Sequence, residues 1–219
     1  MTDFSKVLVS DFDGTMTRHD FYKLVIESLL PPGTHDYWGD YQAGRITHFE
    51  ALRGLFASIR APESHVLRIV ERMDLDPKLP TAIADLQRFG WQVVVTSAGC
   101  GWYIERLLHS VGVTIEVHSN PGRFIAGQGL LMEMPQGDRF RSPTLGVHKA
   151  AVVQSYLSEG KTVAFAGDSL PDVEPARLVI DKLRFARSDL ADVLRSDGLG
   201  FRSFDRWSDI ARILLSEEM

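Results

Sequence analysis

The chain has 219 residues, 44% hydrophobic and 24% charged, an ordinary globular composition that suits one large domain or a core with a smaller inserted one. A net charge of -5 without any Lys/Arg-rich run argues against nucleic acid as a partner, and no stretch approaches the roughly 20 apolar residues of a membrane span. The single cysteine, Cys100, excludes an internal disulfide framework. A reducing compartment and a start, Met1 to Lys6, without a signal peptide's apolar core lead to the expectation of a soluble cytoplasmic protein, monomer or homodimer.

In chain order, Val7-Leu8-Val9 reads as a buried strand that ends at Asp11-Phe12-Asp13-Gly14-Thr15. Residues 17–78 contain no good strand. Phe21 to Leu30 reads as a helix stopped by Pro31-Pro32-Gly33, and Phe49 to Ile59 and Glu63 to Met73 read as two more, separated by Ala61-Pro62. This block is too long for a simple crossover and predicts a small helical domain, 17–78, inserted into a core of 1–16 and 79–219. Tyr37, Trp38, Phe49 and Phe56 read as the core of that lid. A strand at Trp91 to Thr96 ends at Ser97-Ala98-Gly99, and Lys161 to Ala166 ends at Gly167-Asp168-Ser169. Leu183 to Ala186 is a shorter candidate, and the glycines at 122, 127 and 129 predict a hairpin within 120–135. Helices are expected near 80–89, 101–111, 147–158, 171–179 and 204–216, with spacings such as Ile104, Leu107, Leu108 and Val111. Continuous apolar strands alternating with helices define the expected class, α/β, with a Rossmann-like, mostly parallel sheet covered on both faces.

A parallel sheet of this kind collects its strand ends along one edge. Asp11, Asp13, Asp168 and Asp172 would then face one lysine, Lys149, and such a cluster needs protons or a cation. Hard oxygen donors, and no His/Cys spacing typical of zinc, favour Mg²⁺. Ser97, the backbone N–H groups of Ala98 and Gly99, and Lys149 are suited to an anion. A metal, an anion site and a carboxylate pair in which one group attacks while the other moves protons describe phosphoryl transfer.

The order Asp-x-Asp-Gly-Thr, Ser, Lys, Gly-Asp-Ser-x-x-Asp resembles the haloacid dehalogenase (HAD) superfamily, and these motifs span nearly the whole chain. A helical insert after the first motif resembles the phosphoserine phosphatase-like branch. Within it, Asp11 to Thr17, Asp20 and Gly167 to Glu174 look closest to the methionine-salvage phosphatase group, which hydrolyses 2-hydroxy-3-keto-5-methylthiopentenyl-1-phosphate. The resemblance implies that Asp11 attacks phosphorus and forms an aspartyl-phosphate. It implies that Asp13 protonates the leaving alcohol and later takes a proton from water. The metal would take Asp11, the Asp13 backbone carbonyl and Asp168, supported by Asp172, while Ser97 and Lys149 hold the phosphate of a small-molecule ester. A phosphotransferase or mutase on the same site, or a phospho-aspartate signalling domain, are the competing expectations.

Single residues carry competing readings. Ser97 alone fits a helix cap, Ser169-x-x-Asp172 a capping box, and Lys149 a solvated helix charge. Asp20 is either a substrate-facing acid, as in the branch it resembles, or part of a Thr17-x-x-Asp20 cap. Arg53 is the candidate for a substrate's far end, against an ordinary exposed helix arginine. Phosphoserine enzymes usually carry Glu where Asp20 stands, and Arg53 does not match their lid arginine cleanly, so both positions argue against phosphoserine. Cys100 and Arg106 have the spacing of cysteine-dependent phosphatases, but Gly101-Trp102-Tyr103-Ile104-Glu105 is too bulky and acidic for a phosphate cradle.

Overall fold

The computed structural model describes residues 4–137 and 139–216; Met1 to Asp3, half of the segment read for a leader, lie outside them. The chain runs β1 (Lys6–Ser10), α1 (Phe21–Ser28), α2 (Tyr37–Gln42), α3 (His48–Ala57), α4 (Glu63–Glu71), α5 (Leu79–Arg88), β2 (Trp91–Cys100), α6 (Gly101–Ser110) and β3 (Glu116–Asn120). It continues through β4 (Gly122–Ile125), β5 (Gly129–Met132), β6 (Arg141–Ser142), β7 (Gly146–Val147), α7 (Lys149–Ser158), β8 (Thr162–Gly167), α8 (Val173–Arg177), β9 (Arg184–Ala186), α9 (Ser188–Ser196) and α10 (Trp207–Ser216).

Strands in the order β3-β2-β1-β8-β9 form one sheet, every pair parallel. Side-chain alternation divides β1 between two cores. Leu8 joins Val93, Val95, Ala164 and Ala166 on the face covered by α5, α6 and α10. Val7 and Val9 join Val94, Val163 and Phe165 on the face covered by α7, α8 and α9. Residues buried on both faces make these strands continuously apolar.

Register then decides where the chemistry goes. Ser10 pairs with Val95 on one side and Ala166 on the other. Asp11, Ser97 and Asp168 follow within two residues of that line, so one sheet edge collects all three. The helices α1 to α4 lie between β1 and α5 in the chain, and the two crossings run side by side: Thr17 bridges Leu75, Arg18 N–H donates to the Met73 and Asp74 carbonyls, and Asp76 N–H donates to Met16 O. Thr47 and Glu50 close α3 with a capping box. The apolar residues of α1, α3 and α4 are continuous with the core on the α5 side of the sheet.

The sequence expectations differ from the fold at definite places. β2 does not stop at Thr96 but runs through Ser97-Ala98-Gly99 to Cys100, with a register shift against β3 between Thr96 and Cys100. The 120–135 hairpin is present as β4 paired antiparallel with β5. The edge strand β3 and the helices α2 and α9 carried no expectation. β3 reads Glu-Val-His-Ser-Asn, too polar for a buried strand, and α2 contains Gly39 and buries none of its residues. The helix expected at 171–179 is a 3₁₀ turn, Leu170–Asp172, followed by the short α8.

Candidate active site

The loop after β1 folds back tightly. Met16 and Thr17 N–H groups return to Phe12 O, and Gly14 adopts φ +69, a conformation that favours glycine. A Cβ on Gly14 would lie 2.4 Å from Asp168 Oδ2, so the glycine also admits the second acidic loop. Thr15 Oγ1 donates to Asp168 Oδ1 at 2.8 Å and joins the two loops. Arg187, just before α9, braces the same loop by donating from Nε to Gly14 O at 2.6 Å and from Nη2 to Thr17 O at 2.8 Å.

Lys149, the first residue of α7, is the hub. Its Nζ lies 2.8 Å from Asp11 Oδ1 and 2.7 Å from Asp172 Oδ1, with all three side chains buried. Asp172 is fully engaged: its Oδ2 accepts from Asp168 N, Ser169 N and Ser169 Oγ at 3.1, 3.0 and 3.0 Å. The Ser169-x-x-Asp172 capping box and the lysine contact therefore coexist on one carboxylate, which stands behind Lys149 rather than in the cavity wall.

Asp13 is held on both oxygens. Phe21 N–H, at the start of α1, donates to Oδ1 at 3.0 Å, and the Tyr103 hydroxyl on α6 donates to Oδ2 at 2.8 Å. Ser97 Oγ lies 3.5 Å from the same Oδ2 and accepts from Gly99 N at 3.0 Å. Of the expected anion donors, the Gly99 amide is thus already engaged, and no helix-cap bond explains Ser97, because α6 begins after Cys100. Asn120, fully buried, donates to Ala98 O at 2.7 Å and to Leu145 O at 3.0 Å, fixing the end of β2.

Burial dominates the electrostatics. It raises Asp11 well above the usual carboxylate range, with Asp172 and Asp168 adding to the effect and Lys149 opposing it. Burial lifts Asp13 to about 6 against the hydrogen bonds from Phe21 and Tyr103, and it lifts Asp168 to about 7 together with the charges of Asp172 and Asp20. For Lys149, burial acts downward but Asp11 and Asp172 outweigh it, so the ammonium is held charged. Asp11, Asp168 and Asp172 bring carboxylate oxygens within 4.8 Å of one another. Three buried carboxylates against one lysine leave negative charge that a divalent cation would neutralise, and an all-oxygen donor set of this kind fits Mg²⁺.

A cavity of about 980 Å³ opens over this floor, lined by Asp11, Asp13, Ser97, Ala98, Gly99, Lys149 and Asp168. Asp20 lines it as well. Asp20 makes no side-chain capping bond to α1 and instead pairs with Lys23 at 2.6 Å, so of its two readings the helix cap is not realised. Arg53 is exposed on α3 and is not among the described residues of the cavity wall; its position is that of an ordinary surface arginine. Of the four aromatics expected as lid core, Phe49 and Phe56 are buried core and Tyr37 and Trp38 pack half-buried against it; Trp38 and Phe56 also line the cavity. Burial pushes the Cys100 thiol up to about 12, which removes it as a nucleophile. Sequence reasoning placed Thr15 in the first motif without giving it a role, and it missed Tyr103, Asn120 and Arg187. Of those three, only Tyr103 left a usable signal, since it stands in the first turn of the helix that follows the Ser97 loop.

The family model for haloacid dehalogenase-like hydrolases matches residues 8–177. A 2-hydroxy-3-keto-5-methylthiopentenyl-1-phosphate phosphatase of Microcystis aeruginosa is 27% identical over 96% of this chain and 98% of its own length. An enzyme of the same name from Brevibacillus brevis is 24% identical over 95% and 94%. Among solved structures, a HAD-family hydrolase of Salmonella enterica serovar Typhi superposes with a TM-score of 0.72 at 14% identity, covering 100% of this chain and 73% of that one. A phospho-aspartyl intermediate analogue of phosphoserine phosphatase gives 0.65 at 15% identity, covering 96% and 99%. The chain belongs to the haloacid dehalogenase-like hydrolase family. Its sequence relatives are phosphatases, and that is the class of enzyme into which it falls. Among the described residues no helix is long and apolar enough to cross a membrane.

Proposed function

We propose that this protein is a Mg²⁺-dependent phosphatase that hydrolyses a small phosphate monoester through an aspartyl-phosphate on Asp11. The observation that carries the reading is the Lys149 clamp: one buried ammonium, 2.8 Å from Asp11 and 2.7 Å from Asp172, at the sheet edge that also presents Asp13, Ser97 and Asp168. In this reading residues 17–78 are a cap over a core of 1–16 and 79–219, and the single bridge between Thr17 and Leu75 is its base.

Asp11 and Asp168 would hold Mg²⁺ together with the Asp13 backbone carbonyl, with Asp172 in support. When bound, the ion supplies charge neutralisation where a carboxylate must approach a phosphate dianion. Asp11 is fixed by Lys149 and by the Phe12 N–H, which donates to Oδ1 at 2.7 Å, so little reorientation precedes attack on phosphorus. Lys149 and Ser97 hold the phosphate, and Lys149 matters more once water is excluded. Asp13 protonates the leaving oxygen and then takes a proton from the attacking water. A pKa near 6, set mainly by burial, suits a group that must give and regain a proton at neutral pH.

The two relatives named above support 2-hydroxy-3-keto-5-methylthiopentenyl-1-phosphate as the first ester to try. The test is phosphate release from that ester, phosphoserine, sugar phosphates and nucleotides, with Mg²⁺ and with EDTA. Mg²⁺-dependent release from one compound, abolished in Asp11→Asn, is the expected result. No release from any of them, or from a generic aryl phosphate, would overturn the reading.

A further inference from the structure

Above its acidic floor the cavity meets a wall from α1, α2 and α3 that the proposed chemistry does not use. Trp38 stacks on Tyr22 with ring centroids 4.0 Å apart and an interplanar angle of 24°. It lies 5.0 Å from Tyr41 and meets His48 edge-on at 5.7 Å, while Tyr41 meets His48 edge-on at 5.3 Å. All four rings line the cavity, and none belongs to the fully buried core. Aromatic rings held together but left partly open to a cavity offer flat apolar area at low entropic cost. The box is also uncharged at neutral pH, because burial, helped by the charge of Lys149, holds His48 down at about 4. Its Nδ1 is buried and has no partner among the described residues.

The other cations of the cavity wall already have partners. Lys23 pairs with Asp20 at 2.6 Å, and Arg18 lies 3.6 Å from Asp74 and 3.5 Å from Asp205. Arg187 donates to the carbonyls of Gly14, Thr17 and Asp205. With their charge already offset by these partners, they offer a substrate carboxylate less than a free cation would, whereas an uncharged chain needs none of them.

We infer that Tyr22, Trp38, Tyr41 and His48 form the subsite for the non-phosphate end of the substrate, and that this subsite selects an uncharged, apolar tail over a carboxylate-bearing one. A short alkyl or thioether chain lies across the Trp38 face, where a polarisable sulfur gains further contact with the rings. The inference rests on the phosphatase reading for the position of the phosphate, at Lys149 and Ser97.

The test separates the subsite from the reaction. Methyl-, propyl- and pentylphosphonate cannot be hydrolysed as esters, and their binding to the whole protein with Mg²⁺ is read by calorimetry. Affinity should rise roughly threefold to fourfold per methylene, and Trp38→Ala should flatten the series to less than twofold per methylene. Tyr41→Ala, on a helix without buried residues, should flatten it in part and serves if Trp38→Ala fails to fold. In turnover, pentyl phosphate should exceed phosphoserine at least tenfold in kcat/KM. A flat phosphonate series in the wild type, or preference for phosphoserine or a nucleoside monophosphate over pentyl phosphate, would overturn the inference. A tail-dependent series without turnover of any ester would uphold the subsite and reject the hydrolase reading.

Discussion

Lys149 Nζ sits 2.7 Å from Asp172 Oδ1, and neither side chain has appreciable contact with solvent. Removing one end of a buried ion pair leaves the other charge in low dielectric, at a cost of about 3 to 5 kcal/mol. Asp172→Ala should approach the upper part of that range, because it also strands the Asp168 and Ser169 N–H groups. Lys149→Met combined with Asp172→Ala should lose less than the sum of the single changes, with a coupling of about 2 kcal/mol. Urea denaturation of the wild type and the three variants checks this; strict additivity would mean that the pair does not act as a unit.

Gly14→Ala and Gly44→Ala form a matched pair. Both glycines have φ near +70, but a Cβ on Gly44 meets nothing within 4 Å, whereas one on Gly14 meets Asp168 Oδ2 at 2.4 Å. Gly44→Ala should lose about 1 to 2 kcal/mol of stability, the backbone term alone. Gly14→Ala should lose that and also cut kcat at least tenfold by displacing Asp168. Equal activity of the two variants would show that Asp168 is not held in place by the Gly14 loop.

Tyr103→Phe removes the hydroxyl that donates to Asp13 Oδ2. A hydrogen bond to a charged group contributes about 1.5 to 3 kcal/mol, so kcat should fall about tenfold to a hundredfold while KM changes little. Gly99→Ala should reproduce the defect, because its Cβ would lie 1.9 Å from the Tyr103 hydroxyl. Steady-state kinetics on any turned-over ester decides it, and an unchanged kcat in Tyr103→Phe would remove Tyr103 from the positioning of Asp13.

What could be read from the sequence follows from what each residue has to satisfy. β1, β2 and β8 are buried on both faces, so their apolar runs stand out and place Asp11, Ser97 and Asp168 at their ends. Lys149 was legible only through its order among the motifs, since a lysine at a helix start carries no local mark. β3 was hidden by its polar edge sequence, and α2 by its small buried area. Trp38 was legible in part: it packs half-buried against the core as its composition suggests, but composition does not show that it also lines the cavity. Arg187 bonds carbonyls more than 160 residues away in sequence, a relationship set by packing that no spacing encodes.

His48 makes stability depend on pH in a direction that can be isolated. Burial, with the Lys149 charge, lowers its pKa from 6.5 to about 4. Between those values the unfolded chain binds a proton that the folded chain refuses, so this group's contribution is present above pH 6.5 and is lost as pH falls towards 4. The full loss is on the order of 3 kcal/mol at about 1.36 kcal/mol per pKa unit. Asp11, Asp13 and Asp168, with raised values, act with the opposite sign, favouring the folded state as pH falls. The difference between wild type and His48→Phe therefore isolates the histidine. Urea melts at pH 7, 5.5 and 4.5 should show that difference shifting in favour of His48→Phe at each step down. Parallel pH profiles would mean that the imidazole accepts a proton in the folded state, and that the aromatic wall of the cavity is not closed to charge.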